Sequence, residues 1–78
     1  MNKIEIFKIK GIIRLGQFLK LTNMAENGID AKELIQDGFV SVNGVETTQR
    51  GLQLKDGDVV CVNVYNQTLC AKVEQISD

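Results

Sequence analysis

Arg14, Gln17 and Lys20 recur at three-residue intervals, and Lys32 and Gln36 stand four apart, so on helices each set shares one face. Arg50 and Lys55 add cations from a later polar stretch. Each of these side chains can donate hydrogen bonds, and all but the two glutamines are cationic, which suits them to contact phosphate oxygens. On periodicity alone a solvated surface would account for them equally well, because charged patches are common on globular proteins.

Other chemistries lack their parts. The chain contains no histidine, and no pair of acids sits in a context that suggests a general acid and base. Its glycines form neither GxGxxG nor a P-loop and are scattered through turns and element ends. Cys61 and Cys70 lack CxxC spacing and would supply only half of a tetrahedral metal site. Asp56 and Asp58 flank Gly57, as turn residues do. The expectation is a protein with no catalytic residues, no metal and no cofactor.

A chain of 78 residues is the size of one domain with one modest core, so residues 1–78 are read as a single unit. Apolar residues make up 44% and charged residues 24%, which separates it from disordered chains. The net charge of −1 excludes coating of nucleic acid by bulk attraction, but the charge is unevenly placed. Lys3, Lys8, Lys10, Arg14 and Lys20 face Glu5 alone in the first third, whereas Glu26, Asp30, Glu33, Asp37 and Glu46 surround Lys32 in the next. A basic stripe on a mildly acidic protein is therefore feasible. No apolar run approaches the roughly 20 residues of a membrane span, and the two cysteines are too few for a disulfide scaffold, so a reducing cytoplasmic setting is expected.

The elements that must hold these side chains follow from periodicity. Ile4 to Ile9 alternates as a strand of open partner. Leu15, Phe18, Leu19 and Thr22 then recur at helical spacing, with Gly16, Gln17 and Lys20 on the opposite side. A second helix has Ala31, Leu34 and Ile35 on its apolar side and two possible N-caps, Asn27 and Asp30; the latter, with Glu33 three residues on, is the stronger capping-box pattern. It ends near Gly38, and the pair reads as a helical hairpin. Val40 and Val42 alternate with polar or outward residues before Asn43-Gly44, a tight hairpin turn from which Val45 returns. A second turn at Lys55 to Asp58 precedes a strand from Val59 to Tyr65.

A loop at Asn66-Gln67 would close the last hairpin, pairing Val64 with Leu69, Val62 with Ala71 and Val60 with Val73. That register puts Cys61 and Cys70 diagonal to one another, and no disulfide is expected. The resulting fold class is α+β: a two-helix hairpin packed on a small, mainly antiparallel sheet.

Four blocks in this order resemble the alpha-L RNA-binding family, named after small-subunit ribosomal protein S-four. They are Arg14-Leu15-Gly16-Gln17-Phe18-Leu19-Lys20-Leu21, Ala31-Lys32-Glu33-Leu34-Ile35, Gly38-Phe39-Val40-Ser41-Val42-Asn43-Gly44, and Arg50-Gly51 with Leu54 and Gly57-Asp58-Val59-Val60. They span about residues 12–62, and the first looks most like small stand-alone bacterial members. The resemblance implies binding to structured RNA, ribosomal RNA first and tRNA second, in a ribosome-associated or ribosome-assembly role. It implies phosphate contacts by Arg14, Lys20, Lys32, Arg50 and Lys55, with Gln17, Gln36 and Thr48 as lesser hydrogen-bonding members. Many family members carry Ser-Arg where this chain has Asn27-Gly28, which removes a frequent phosphate contact.

Few aromatics, three Phe and one Tyr, disfavour single-strand binding by stacking and leave recognition of RNA shape. The rival reading is a protein interaction module that keeps the fold and recruits a partner, such as a ribosomal protein, through its acidic helix. A β-grasp sulfur carrier fits the size, but the tail Gln75-Ile76-Ser77-Asp78 lacks the Gly-Gly such carriers need. A monomer with no membrane partner is expected.

Overall fold

The computed structural model describes residues 4–64 and 67–76. The order is β1 (Ile4–Lys10), α1 (Leu15–Leu21), α2 (Gly28–Gln36), β2 (Val40–Val42), β3 (Val45–Glu46), β4 (Val59–Val64) and β5 (Gln67–Ile76). The strands form one five-stranded mixed sheet in the order β1-β5-β4-β2-β3, so the fold is α+β. No helix among the described residues is long and apolar enough to cross a membrane.

The partner of β1, open in the sequence, is the other end of the chain. β1 runs parallel to β5 from Ile4 opposite Cys70 to Lys10 opposite Ile76, while the remaining neighbours pair antiparallel. Strand alternation turns Ile9 into the core, with Phe7 partly buried beside it, and leaves Ile4 and Ile6 exposed. Phe7 meets Phe18 of α1 edge to face, ring centroids 6.0 Å apart. One apolar cluster joins Leu15, Phe18 and Leu19 of α1, Ala31 and Ile35 of α2, and Val40, Val60, Val62, Ala71 and Val73 of the sheet.

Both helices stop for local reasons. The Thr22 hydroxyl donates to the Phe18 carbonyl at 2.9 Å, and Asn23 then turns to φ 62. At the end of α2, Gly38 (φ 82) donates to Ile35 O at 3.2 Å and Phe39 to Leu34 O at 3.0 Å, the paired bonds of a Schellman motif. Of the two possible starts for α2, Asn27 is the cap: its Oδ1 accepts from Asp30 N–H at 2.9 Å. Asp30, the stronger candidate on pattern, instead sends its carboxylate back to the Glu26 N–H at 3.1 Å. A single turn can be capped from either residue on sequence; the earlier one wins because it adds three residues to the helix and still satisfies both backbone donors.

The last hairpin departs from expectation by two residues. Val64 faces Gln67, Val62 faces Leu69 and Val60 faces Ala71, so Gln67 belongs to β5 rather than to a turn; Tyr65 and Asn66 lie outside the described residues. A two-residue slip keeps every side chain on its own face, and the alternation therefore could not choose between the registers. The choice comes from β5's contact with the preceding turn: Gly57 N–H donates to Val73 O and Val73 N–H to Asp58 O, both at 2.8 Å. In this register Cys61 stands directly opposite Cys70, not diagonal to it, and the two form a disulfide with an Sγ–Sγ distance of 2.09 Å. The bond lies on the sheet face turned away from the core, between Ile4 on β1 and Ser41 on β2.

Two acids fasten this end of the sheet. Asp58 accepts from Asn43 Nδ2 at 2.9 Å and from Lys55 N–H at 2.8 Å, while Asn43 Oδ1 accepts from Val59 N–H at 3.0 Å. Asp56 accepts from Gln75 N–H at 2.8 Å, and the Gln75 amide donates to the carbonyls of Ile9 and Gly11. Both carboxylates therefore hold backbone, as turn residues do.

Candidate nucleic-acid interface

The segment 50–54 is laid antiparallel against the start of α1. Leu15 N–H donates to Leu52 O at 2.8 Å, Gly16 N–H to Arg50 O at 3.0 Å, and Leu54 N–H to Ile13 O at 2.9 Å. Two of the amides that α1 leaves without intrahelical partners are thereby satisfied by the loop. Arg14, the extended residue before the helix, donates its backbone N–H to Gln17 Oε1 at 3.1 Å and its Nη1 to Gly51 O at 2.7 Å. Gly16 is buried, contrary to the outward position expected from periodicity, because the Arg50 side chain crosses directly over it.

These contacts bring the distant cations together. Arg14, Gln17, Lys20, Lys32 and Arg50 line one concave depression of about 680 Å³, together with the glycines at 16, 28 and 51 and the side chains of Asn27, Ile29 and Ala31. No acid among the described residues lines it, although acids outnumber bases in the whole chain. Like charges gathered around one concavity repel in the free protein, and an anion seated there relieves that repulsion. The arrangement is therefore suited to a polyanion that offers several phosphates at once.

The remaining expected members fall elsewhere. Gln36 is exposed at the last residue of α2, Thr48 lies in the segment after β3, and Lys55 belongs to the turn held by Asp58; none lines the depression. Gln36 shares the outward face with Lys32, but it stands a full helical turn farther from the α2 N-terminus, where the concavity lies. Lys55 follows Arg50 by five residues but does not share its depression, because between them Leu52 and Leu54 bond the backbone at the start of α1.

Two groups were missed. Lys8 and Lys10, on the same face of β1, line an adjoining depression with Ile12 that shares Gln17 and Lys20 with the first. The excess of cations in the first third of the chain was the available signal, but the position of β1 was not. Ile29 is 72% exposed, the most exposed of the large apolar side chains described. It is out of phase with Ala31, Leu34 and Ile35 and so lies off the core stripe of α2, within the lining of the depression.

A family model described as the S4 domain matches residues 4–69. The chain belongs to the S4-domain family. The match reaches beyond the 12–62 stretch that carries the motif and takes in β1 and the opening of β5. Two relatives, from Listeria innocua and Listeria monocytogenes, each bear the name RQC P-site tRNA stabilizing factor. Each is 30% identical over 66 residues, an alignment that covers 85% of this S4-domain chain and 71% of the relative.

Proposed function

We propose that this S4 domain binds structured RNA on the ribosome without performing chemistry, and that the concavity between α1, α2 and the Arg50 loop is the contact surface. The observation that carries the reading is the convergence of Arg14, Lys20, Lys32 and Arg50, from three separate stretches, around one depression with no acid among the described residues of its lining. The two helices act as a hairpin that presents this face, and the sheet behind them serves as its support. Phe7 and Phe18 are taken up in their mutual contact near the core, and no aromatic side chain among the described residues lines the depression, which favours recognition of backbone shape.

The target is the folded RNA of the translating particle, either ribosomal RNA or the P-site tRNA after which the Listeria relatives are named. A protein that works there acts in the cytoplasm. Co-sedimentation with purified ribosomes across a salt series tests the proposal: four neutralised phosphates give a slope of about −3 in log affinity against log salt. A flat response would overturn it and point to a protein partner instead. Crosslinking in cells followed by sequencing of the attached RNA separates ribosomal RNA from tRNA.

A further inference from the structure

We propose that the same depression takes an extruded, unpaired nucleobase, with Ile29 packed on the face of the base and the surrounding cations on its flanking phosphates. This inference rests on the RNA-binding reading above and adds a specificity to it. A regular duplex would offer the concavity only phosphates, riboses and hydroxyls, and these gain nothing from an isoleucine side chain that is 72% exposed. A lining that joins cations to an exposed apolar side chain suits a ligand with both anionic and apolar parts. A nucleotide displaced from its stack is such a ligand, and structured RNA supplies it at bulges and loops, where unstacking is least opposed.

The concavity has room for a base. A Cβ added to Gly28 or to Gly51, both in the lining, would meet no atom within 4 Å beyond its own chain neighbours, so the concavity is open at both positions. Polar reading is available at the edge. Gln17 Oε1 is engaged by Arg14 N–H and Asn27 Oδ1 by Asp30 N–H, which leaves the amide NH2 group of each side chain to donate to acceptors on a base. Charge then orients the nucleotide, and the apolar contact tells an unpaired base from a bare backbone.

Fluorescence anisotropy with three RNA duplexes tests this: one uninterrupted, one with a single bulged adenosine, and one with an abasic residue at the bulge. The wild-type chain should bind the adenosine bulge about tenfold more tightly than the abasic one, the scale of burying an isoleucine side chain. In Ile29→Ser that ratio should fall to near one while the salt slope stays unchanged. Gly28→Leu, which fills the open space, should lose the same preference by obstruction. Equal wild-type affinity for the adenosine and abasic bulges, with a slope still near −3, would overturn the base pocket and leave the cationic reading standing. Binding that ignores salt on all three probes would remove both.

Discussion

A Cβ placed on Gly16 would lie 2.8 Å from Cγ of Arg50, and the Gly16 N–H donates to the Arg50 carbonyl at 3.0 Å. The start of α1 and the loop after β3 are thus fitted to each other, and the missing side chain at one position sets the place of the guanidinium at the other. Gly16→Ala should force Arg50 aside at a stability loss of about 1–3 kcal/mol. For a domain of this size each kcal/mol corresponds to roughly 4–8 °C in Tm. Thermal unfolding measures the loss, and RNA affinity should fall with it as Arg50 leaves the depression; unchanged stability and affinity would show that the loop moves freely.

Lys32 and Lys55 separate convergence from mere charge. Both are exposed, but only Lys32 lines the concavity. Lys32→Glu should weaken RNA binding by at least tenfold and reduce the salt slope by about one, with Tm nearly unchanged. Lys55→Glu should leave binding within about twofold of wild type, since it changes net charge equally but lies outside the site. Equal losses in the two variants would mean that bulk charge governs association.

Arg14 has two roles that substitution can divide. Its Nη1 donates to Gly51 O at 2.7 Å, so Arg14→Glu removes a loop contact as well as a cation. A stability loss of about 1 kcal/mol should accompany the loss of binding. Arg14→Lys should retain most of the charge effect but not the bond geometry, and RNA affinity measured beside thermal unfolding would distinguish the two contributions.

Asn43 is the residue that closes the β2–β3 turn on β4. It adopts φ 53, donates to Asp58 and accepts from Val59 N–H. Asn43→Ala should cost about 2 kcal/mol through two lost hydrogen bonds and an unfavourable left-handed alanine. Because Asn43 does not line the depression, RNA binding by the folded fraction should be unaffected, which parallel unfolding and binding curves would check.

The disulfide gives a stability prediction without a functional one. Cys61 and Cys70 are nine residues apart, and closing so short a loop in the unfolded chain contributes about 2–3 kcal/mol on the chain-entropy model. Reductant, or Cys61→Ser with Cys70→Ser, should lower the denaturation midpoint accordingly. RNA affinity should not change, because the bond sits on the sheet face turned away from the helices. A binding change on reduction would show that this face takes part.

Local pattern determined a great deal of this protein. Helical spacing set the core stripes of α1 and α2, Asn43-Gly44 and Gly57 marked turns, and the ordered blocks from Arg14 to Val60 carried the family resemblance. Such features depend on neighbours a few residues away, and the chain itself supplies those neighbours. Tertiary structure decided what local pattern leaves degenerate. A slip of two residues in β4 and β5 conserves every inward side chain, so the register that opposes the cysteines rests on contacts such as the clasp between Val73 and the Gly57-Asp58 turn. Parallel pairing of β1 with β5 depends on closing nearly the whole chain into a loop, for which no short motif exists. The same holds for the cations. Arg14, Lys20, Lys32 and Arg50 became one site, and Lys55 was left out, because the loop after β3 packs its carbonyls onto the first amides of α1. That contact spans residues far apart in sequence, and its energy exists only once the core beneath it has formed.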